Sequence, residues 1–122
     1  MIPNKLYHYR AIVVGVYDGD TINVNIDLGL STWINNEKLR LARINAPEIK
    51  GKERTNGLKS RDFLRDLLMN KKVIIQTIKD RKEKYGRYLA EVWLEENGKF
   101  MNVNDFMVEK NLQYTRNISL NY

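Results

Sequence analysis

The sequence predicts an α+β fold, mainly β: a five-stranded antiparallel barrel with a helix between the third and fourth strands and a short helix near the C-terminus. Three observations predict it. Two β-rich segments flank Asp18-Gly19, a pair suited to a tight hairpin turn. The apolar spacing changes from strand-like to helical at Leu58 and returns to strand-like at Lys72. The order over 122 residues is then three strands, a helix, two strands, a helix. That is the length of one ordinary domain, with no repeat, linker or low-complexity stretch.

The elements follow in order. Tyr7 to Tyr17 is rich in β-branched and aromatic residues and predicts the first strand. Thr21 to Asp27 alternates strictly: Ile22, Val24 and Ile26 face one way, Asn23, Asn25 and Asp27 the other. Leu28-Gly29 bends the chain. A third strand runs through Trp33 and ends in Arg40-Leu41-Ala42-Arg43-Ile44, stopped by Pro47. Ile49 to Gly57 reads as a basic loop. From Leu58, the residues Phe63, Leu64, Leu67 and Leu68 share one helical face. Lys72 to Ile78 is the fourth strand, Asp80 to Gly86 a charged turn, and Tyr88 to Leu94 the fifth strand. Glu96-Asn97-Gly98 turns the chain into a helix over Val103 to Lys110, capped by Asn102 or Asn104 and closed by Asn111. This is the plan of an OB-fold, a barrel that commonly binds oligonucleotides.

Composition sets bounds. With 43% hydrophobic and 30% charged residues, the chain suits one packed core and not disorder. Lys and Arg number 21 against 15 Asp and Glu, a net charge of +6. With a pI near 9.5, that excess favours acidic partners, nucleic acid first and a membrane surface second. The absence of cysteine excludes disulfides and thiolate metal sites. No apolar run is long enough to span a bilayer. Met1 to Arg10 lacks the apolar core of a signal peptide. The expected compartment is therefore the cytoplasm, with secretion the alternative if a leader has been removed.

Three segments carry candidate chemistry. Asp18-Gly19-Asp20-Thr21 offers two carboxylates in a tight turn, hard oxygen ligands for Ca²⁺ or Mg²⁺. Its plain alternative is a hairpin turn. In Arg40 to Glu48, strand alternation puts Arg40, Ala42 and Ile44 on one face. An arginine beside core residues needs an anionic partner. Asn45 adds an amide oxygen, and Glu48 a carboxylate beyond a rigid proline. The alternative is a surface Arg–Glu pair, which contributes little. Lys84-Tyr85-Gly86-Arg87-Tyr88 alternates basic and aromatic residues, suited to a phosphate and a stacked base, or simply to a solvated turn.

In this order, Asp-Gly-Asp-Thr, Arg-Leu-x-x-Ile-Asn-Ala-Pro-Glu and Lys-Tyr-Gly-Arg-x-Leu-Ala closely resemble the staphylococcal nuclease (thermonuclease-like) family, from about Val13 through Leu112. The resemblance implies a five-stranded OB barrel that hydrolyses DNA and RNA with one Ca²⁺ ion. It implies that Asp20 binds the calcium and that Ala46 lends its backbone carbonyl. Arg40 and Arg87 would hold the scissile phosphate, and Glu48 would activate or position the attacking water. Asp18, Thr21, Lys84 and Tyr85 match positions nearer the edge of the substrate site.

Asn45 departs from the pattern, standing where the family usually has a second calcium-binding aspartate. Its amide oxygen can still ligate Ca²⁺ but brings no charge, so weaker metal binding is expected. The relatives usually continue into another helix beyond the position of Tyr122, and the family's pocket tyrosine is not assignable to Tyr114 or Tyr122. His8 has no partner motif and is expected to be a strand residue without a role. The expected function is a calcium-dependent nuclease acting on DNA, RNA or both. The expected state is a monomer with no obligate protein partner and no membrane. The alternatives are an inactive nucleic-acid-binding OB domain and a protein-interaction domain.

Overall fold

A computed structural model describes residues 6–110 and the backbone of residues 114–115. Strands β1 (His8–Asp18) and β2 (Thr21–Gly29) pair around a two-residue turn, Gly19-Asp20, and β3 (Thr32–Leu41) extends the meander. The short β4 (Ile44–Asn45) pairs with β8 (Tyr114–Thr115). Helix α1 (Arg54–Leu68) leads to β5 (Lys72–Lys82), β6 (Tyr88–Glu96), β7 (Lys99–Asn102) and helix α2 (Val103–Glu109). The main sheet runs β3-β2-β1-β5-β6-β7. A further pairing of β3 with β6 closes five of these strands into a barrel. The expected OB architecture is therefore present.

The closing pair differs from the others in being parallel, with Leu39, Arg40 and Leu41 opposite Tyr88, Leu89 and Ala90. It matters for function. Arg40 lies opposite Thr21 on one side and Leu89 on the other, so Arg87, just before β6, arrives at the barrel end that carries the β1–β2 turn.

The inward faces of the strands supply Ile22, Val24, Leu39, Leu41, Ile75 and Val92 to the core. Helix α1 adds Leu64 and Leu68, fully buried, with Phe63 and Leu67 packed at the margin. Helix α2 adds Val103 and Met107. Its Asn102 side chain accepts the Asp105 N–H at 2.9 Å, an N-cap worth about 1 kcal/mol. No helix among the described residues is long and apolar enough to cross a membrane.

The structure corrects several boundaries. The third strand ends at Leu41, because Arg43 turns the chain with a left-handed φ of 68°. Arg40, Ala42 and Ile44 therefore do not form one strand face. Helix α1 starts at Arg54 and not Leu58, after a single 3₁₀ turn at Gly51–Glu53. Its first three residues are not buried, so they leave no apolar period to read. Strand β5 runs on to Lys82, past left-handed Lys79 and Asp80, where the sequence shows only a charged turn. Strand β7 follows an Asn97-Gly98 turn with φ of 53° and 79°; being short and half exposed, it leaves no pattern. The proposed closing residue Asn111 lies outside the described residues.

The bend at Ala42-Arg43 is clamped from behind. Arg43 donates through Nε and Nη2 to Glu91 at 2.7 and 2.6 Å, and its Nη1 lies 2.8 Å from Asp105. Asn104 is fully buried. It donates to the Ala42 and Ala90 carbonyls at 2.9 and 3.1 Å and accepts the Val92 N–H at 3.0 Å. A costly left-handed arginine is thus held by two side chains of α2 and one of β6.

Candidate active site at the barrel end

Asp20 forms the hub. It sits in the β1–β2 turn and is only 6% exposed. Its Oδ2 accepts the Ala46 N–H at 2.8 Å and lies 3.3 Å from Nη2 of Arg40. Its Oδ1 accepts the Thr21 hydroxyl at 3.1 Å. Arg40 is itself 4% exposed. It donates through Nη1 to the Leu41 carbonyl at 2.6 Å and through Nη2 to Oδ1 of Asn45 at 3.2 Å. The anionic partner that an arginine in this position requires is therefore Asp20. Removing either member of such a buried pair typically costs about 3–5 kcal/mol, because the other charge is left in a dry place.

The second arginine reaches the same hub from the opposite strand. Nη1 of Arg87 donates to the Thr21 hydroxyl at 3.1 Å. Its Nε and Nη2 both donate to Glu83, each at 3.1 Å. Glu83 also accepts the backbone N–H groups of Tyr85 and Arg87, each at 3.0 Å. Burial pushes the Glu83 carboxyl up, but the hydrogen bonds and charge of Arg87 outweigh it and hold the group below its usual range. The same pairing raises Arg87. Beside it, Tyr85 is widely exposed, with Lys84 Nζ 5.1 Å and Arg87 Cζ 5.4 Å from its ring centre.

Asp18 shares the turn. Its Oδ1 accepts the Asp20 N–H at 3.0 Å. Burial, then a hydrogen bond shared with the Asp20 carboxyl and that group's charge, push Asp18 up to about 6.

A chain of hydrogen bonds and one ion pair therefore joins Arg87, Thr21, Asp20, Arg40 and Asn45, with Asp18 and Ala46 attached at Asp20. Lys84 and Tyr85 flank Arg87. Glu48 stands apart: it is exposed, two residues beyond Ala46, and outside that network. Sequence reasoning missed Glu83, whose only signal is its place four residues before Arg87. It offered Asn104 only as an alternative helix cap; the cap is Asn102, and the place of Asn104 behind the bend appears only in the fold.

Among the described residues, no group of three His, Cys, Asp or Glu side chains could hold a metal. The donors at this barrel end are two carboxylates, the Asn45 amide oxygen and the Ala46 carbonyl. Oxygen donors of this kind are the ones that hard cations take.

The family profile described as staphylococcal nuclease homologue matches residues 38–118. This chain belongs to that family. An uncharacterized protein of Methanocaldococcus jannaschii is 32% identical over 125 residues, covering 84% of this chain and 56% of that protein. A thermonuclease of Staphylococcus hyicus is 36% identical over 85 residues, covering 67% of this chain and 47% of that protein. The chain thus spans about half the length of these curated relatives. As a staphylococcal nuclease homologue it carries the family's OB barrel, and the polar network lies at the barrel end where Arg40 and Arg87 converge.

Proposed function

We propose that this chain is a calcium-dependent nuclease hydrolysing phosphodiester bonds of DNA, RNA or both. The observation that carries the reading is the convergence of Arg40 and Arg87, far apart in sequence, on one acidic turn through Thr21 and Asp20. Two planar guanidinium forks can share the oxygens of one phosphate, which lysines cannot do in the same bidentate way.

Asp20 and Asn45 side chains and the Ala46 carbonyl are the residues to hold the ion. When bound, the ion supplies charge that polarises the phosphate and lowers the pKa of a coordinated water. Arg40 and Arg87 donate to phosphoryl oxygens as negative charge grows on them in the transition state. Arg87 exchanges Glu83 for the phosphate as substrate enters. Glu48 accepts the proton of the attacking water, or fixes its direction. Tyr85 and Lys84 receive a base and a neighbouring phosphate. Contacts to phosphates and stacked bases give little base specificity.

The test is direct. The protein is incubated with heat-denatured DNA and with RNA in Ca²⁺, Mg²⁺ or chelator, beside Glu48→Gln. Calcium-dependent cleavage that Glu48→Gln lowers on the order of a hundredfold or more is expected. Salt-sensitive binding without cleavage would replace this reading with that of an inactive nucleic-acid-binding OB domain. Asn45 gives a second handle: Asn45→Asp should lower the calcium concentration for half-maximal activity, and an unchanged value would remove Asn45 from the metal site.

A further inference from the structure

Glu48 lies on a stretch without regular structure, and its side chain takes no part in the network around Asp20. Something else has to set where it stands. Helix α1 passes directly against its backbone. Gly57 is buried in that helix. A Cβ placed on it would stand 2.1 Å from the Glu48 carbonyl oxygen, 2.5 Å from the Glu48 carbonyl carbon and 2.9 Å from the Ile49 nitrogen. All three are backbone atoms, so no side-chain rotation relieves the clash.

Glycine inside a helix costs about 1 kcal/mol relative to alanine. Here no left-handed φ calls for it, since Gly57 lies within α1 and outside the positive-φ residues. What requires it is space: the helix backbone and the Glu48–Ile49 peptide meet with no room for a methyl group. Pro47 is buried on the other side of Glu48 and stiffens the approach. Between the proline and this contact, the peptide of Glu48 is fixed while its carboxylate remains exposed.

We infer that Gly57 is a positioning residue for Glu48, whose bare backbone lets α1 seat the Glu48–Ile49 peptide and so sets the carboxylate relative to Asn45 and Ala46. The inference rests on the reading of Glu48 as the group that acts on water. Displacement of about 1 Å in such a group costs on the order of a hundredfold in rate, without any lost contact to substrate.

The test is a double-mutant cycle of wild type, Gly57→Ala, Glu48→Gln and the pair, with kcat, KM, thermal melting and single-stranded DNA binding measured for each. Gly57→Ala is expected to lower kcat at least about tenfold, with KM and DNA affinity within about twofold. In the Glu48→Gln background it should cost less than about twofold more, because its effect passes through Glu48. A wild-type kcat in Gly57→Ala, or the same loss in both backgrounds, overturns the inference. An inactive Glu48→Gln beside a fully active Gly57→Ala defeats the inference alone, whereas a fully active Glu48→Gln defeats the reading of Glu48 as well. If Gly57→Ala does not fold, one glycine inserted after Gly51 slackens the segment so that the peptide can retreat. That variant should melt cooperatively and keep the low kcat. Either a wild-type kcat or a failure to fold there overturns the inference, the latter because the contact would then serve folding and not Glu48.

Discussion

Arg40 and Arg87 reach one barrel end from opposite supports. Arg40 lies on a closed strand, almost wholly buried, and its fork is spent on Asp20, Asn45 and the Leu41 carbonyl. Arg87 sits just before β6 with its side chain 22% exposed, and two of its three nitrogens are engaged by a glutamate of its own loop. The first arginine is built into the fold. The second is held by a carboxylate of its own loop, which on the proposed function a phosphate would displace. The difference separates stability from activity: both arginines should matter to catalysis, but only one should matter to folding.

The largest expected effect breaks that comparison at its root. Arg40→Met should abolish activity and also cost about 3 kcal/mol of stability, because Asp20 is left buried and unpaired. Arg87→Met should lower kcat on the order of a hundredfold or more. Its stability should stay within about 1 kcal/mol of wild type, as for other partly exposed pairs. Urea melts and cleavage rates of the two variants check this. Equal losses of stability would erase the distinction.

Next comes the support behind Arg40. Asn104→Ala removes three hydrogen bonds from a fully buried site and exposes none of them to water. A loss of about 2 kcal/mol is expected in the same melts. The chain from Arg40 to Glu48 should loosen with it, so cleavage per folded molecule should fall several-fold. An unchanged stability would mean that the bend at Ala42-Arg43 stands without its clamp.

On the Arg87 side, Glu83→Gln weakens the competitor for the fork and removes a negative charge that repels phosphate. KM for single-stranded DNA should fall a few-fold with kcat nearly kept. A raised KM would show that Glu83 orients Arg87 for substrate and does not compete with it.

The smallest effect concerns the foot of the Arg87 loop. Tyr9 donates from its hydroxyl to Asp80 Oδ2 at 2.6 Å, and Asp80 anchors the left-handed bulge of β5 that leads to Glu83. That hydrogen bond, then burial and the Asp80 charge, push the Tyr9 hydroxyl up to about 12. The folded state therefore holds this proton more tightly than the unfolded chain, whose tyrosine titrates near 10. The stabilisation is complete below pH about 10 and is lost as pH rises towards about 12. Melting points across that window should fall more steeply for wild type than for Tyr9→Phe. Parallel curves would show that the bond contributes nothing to the bulge.

How much of this was legible in the sequence follows the same division. The strict alternation of Thr21 to Asp27 reads directly as β2, and the Leu64–Leu68 spacing as α1, because each buries one face. Arg40, Asp20 and Arg87 stand out because phosphate and metal chemistry needs those groups. What the residues hide is long-range. The parallel closure of β3 on β6, which gathers the site, leaves no local pattern. The bend at Arg43 is silent because Arg40 to Ile44 alternates equally well as a straight strand. Glu83 reads as one charge among many in Asp80 to Gly86, and its partner appears only when the loop is folded. Gly57 reads as a loop residue until the Glu48 backbone is seen against it.

The claim that both arginines face one phosphate can be tested without catalysis. Protein labelled with ¹⁵N is titrated, with calcium, against a short single-stranded DNA carrying phosphorothioate linkages, and the arginine Nε–H resonances are followed. The Arg40 and Arg87 signals should shift together with one saturation curve. The Arg43 signal, tied to Glu91 and Asp105, should stay still and serve as the internal control. Saturable binding that leaves Arg40 and Arg87 unmoved would contradict the account and place the nucleic acid on another face of the barrel.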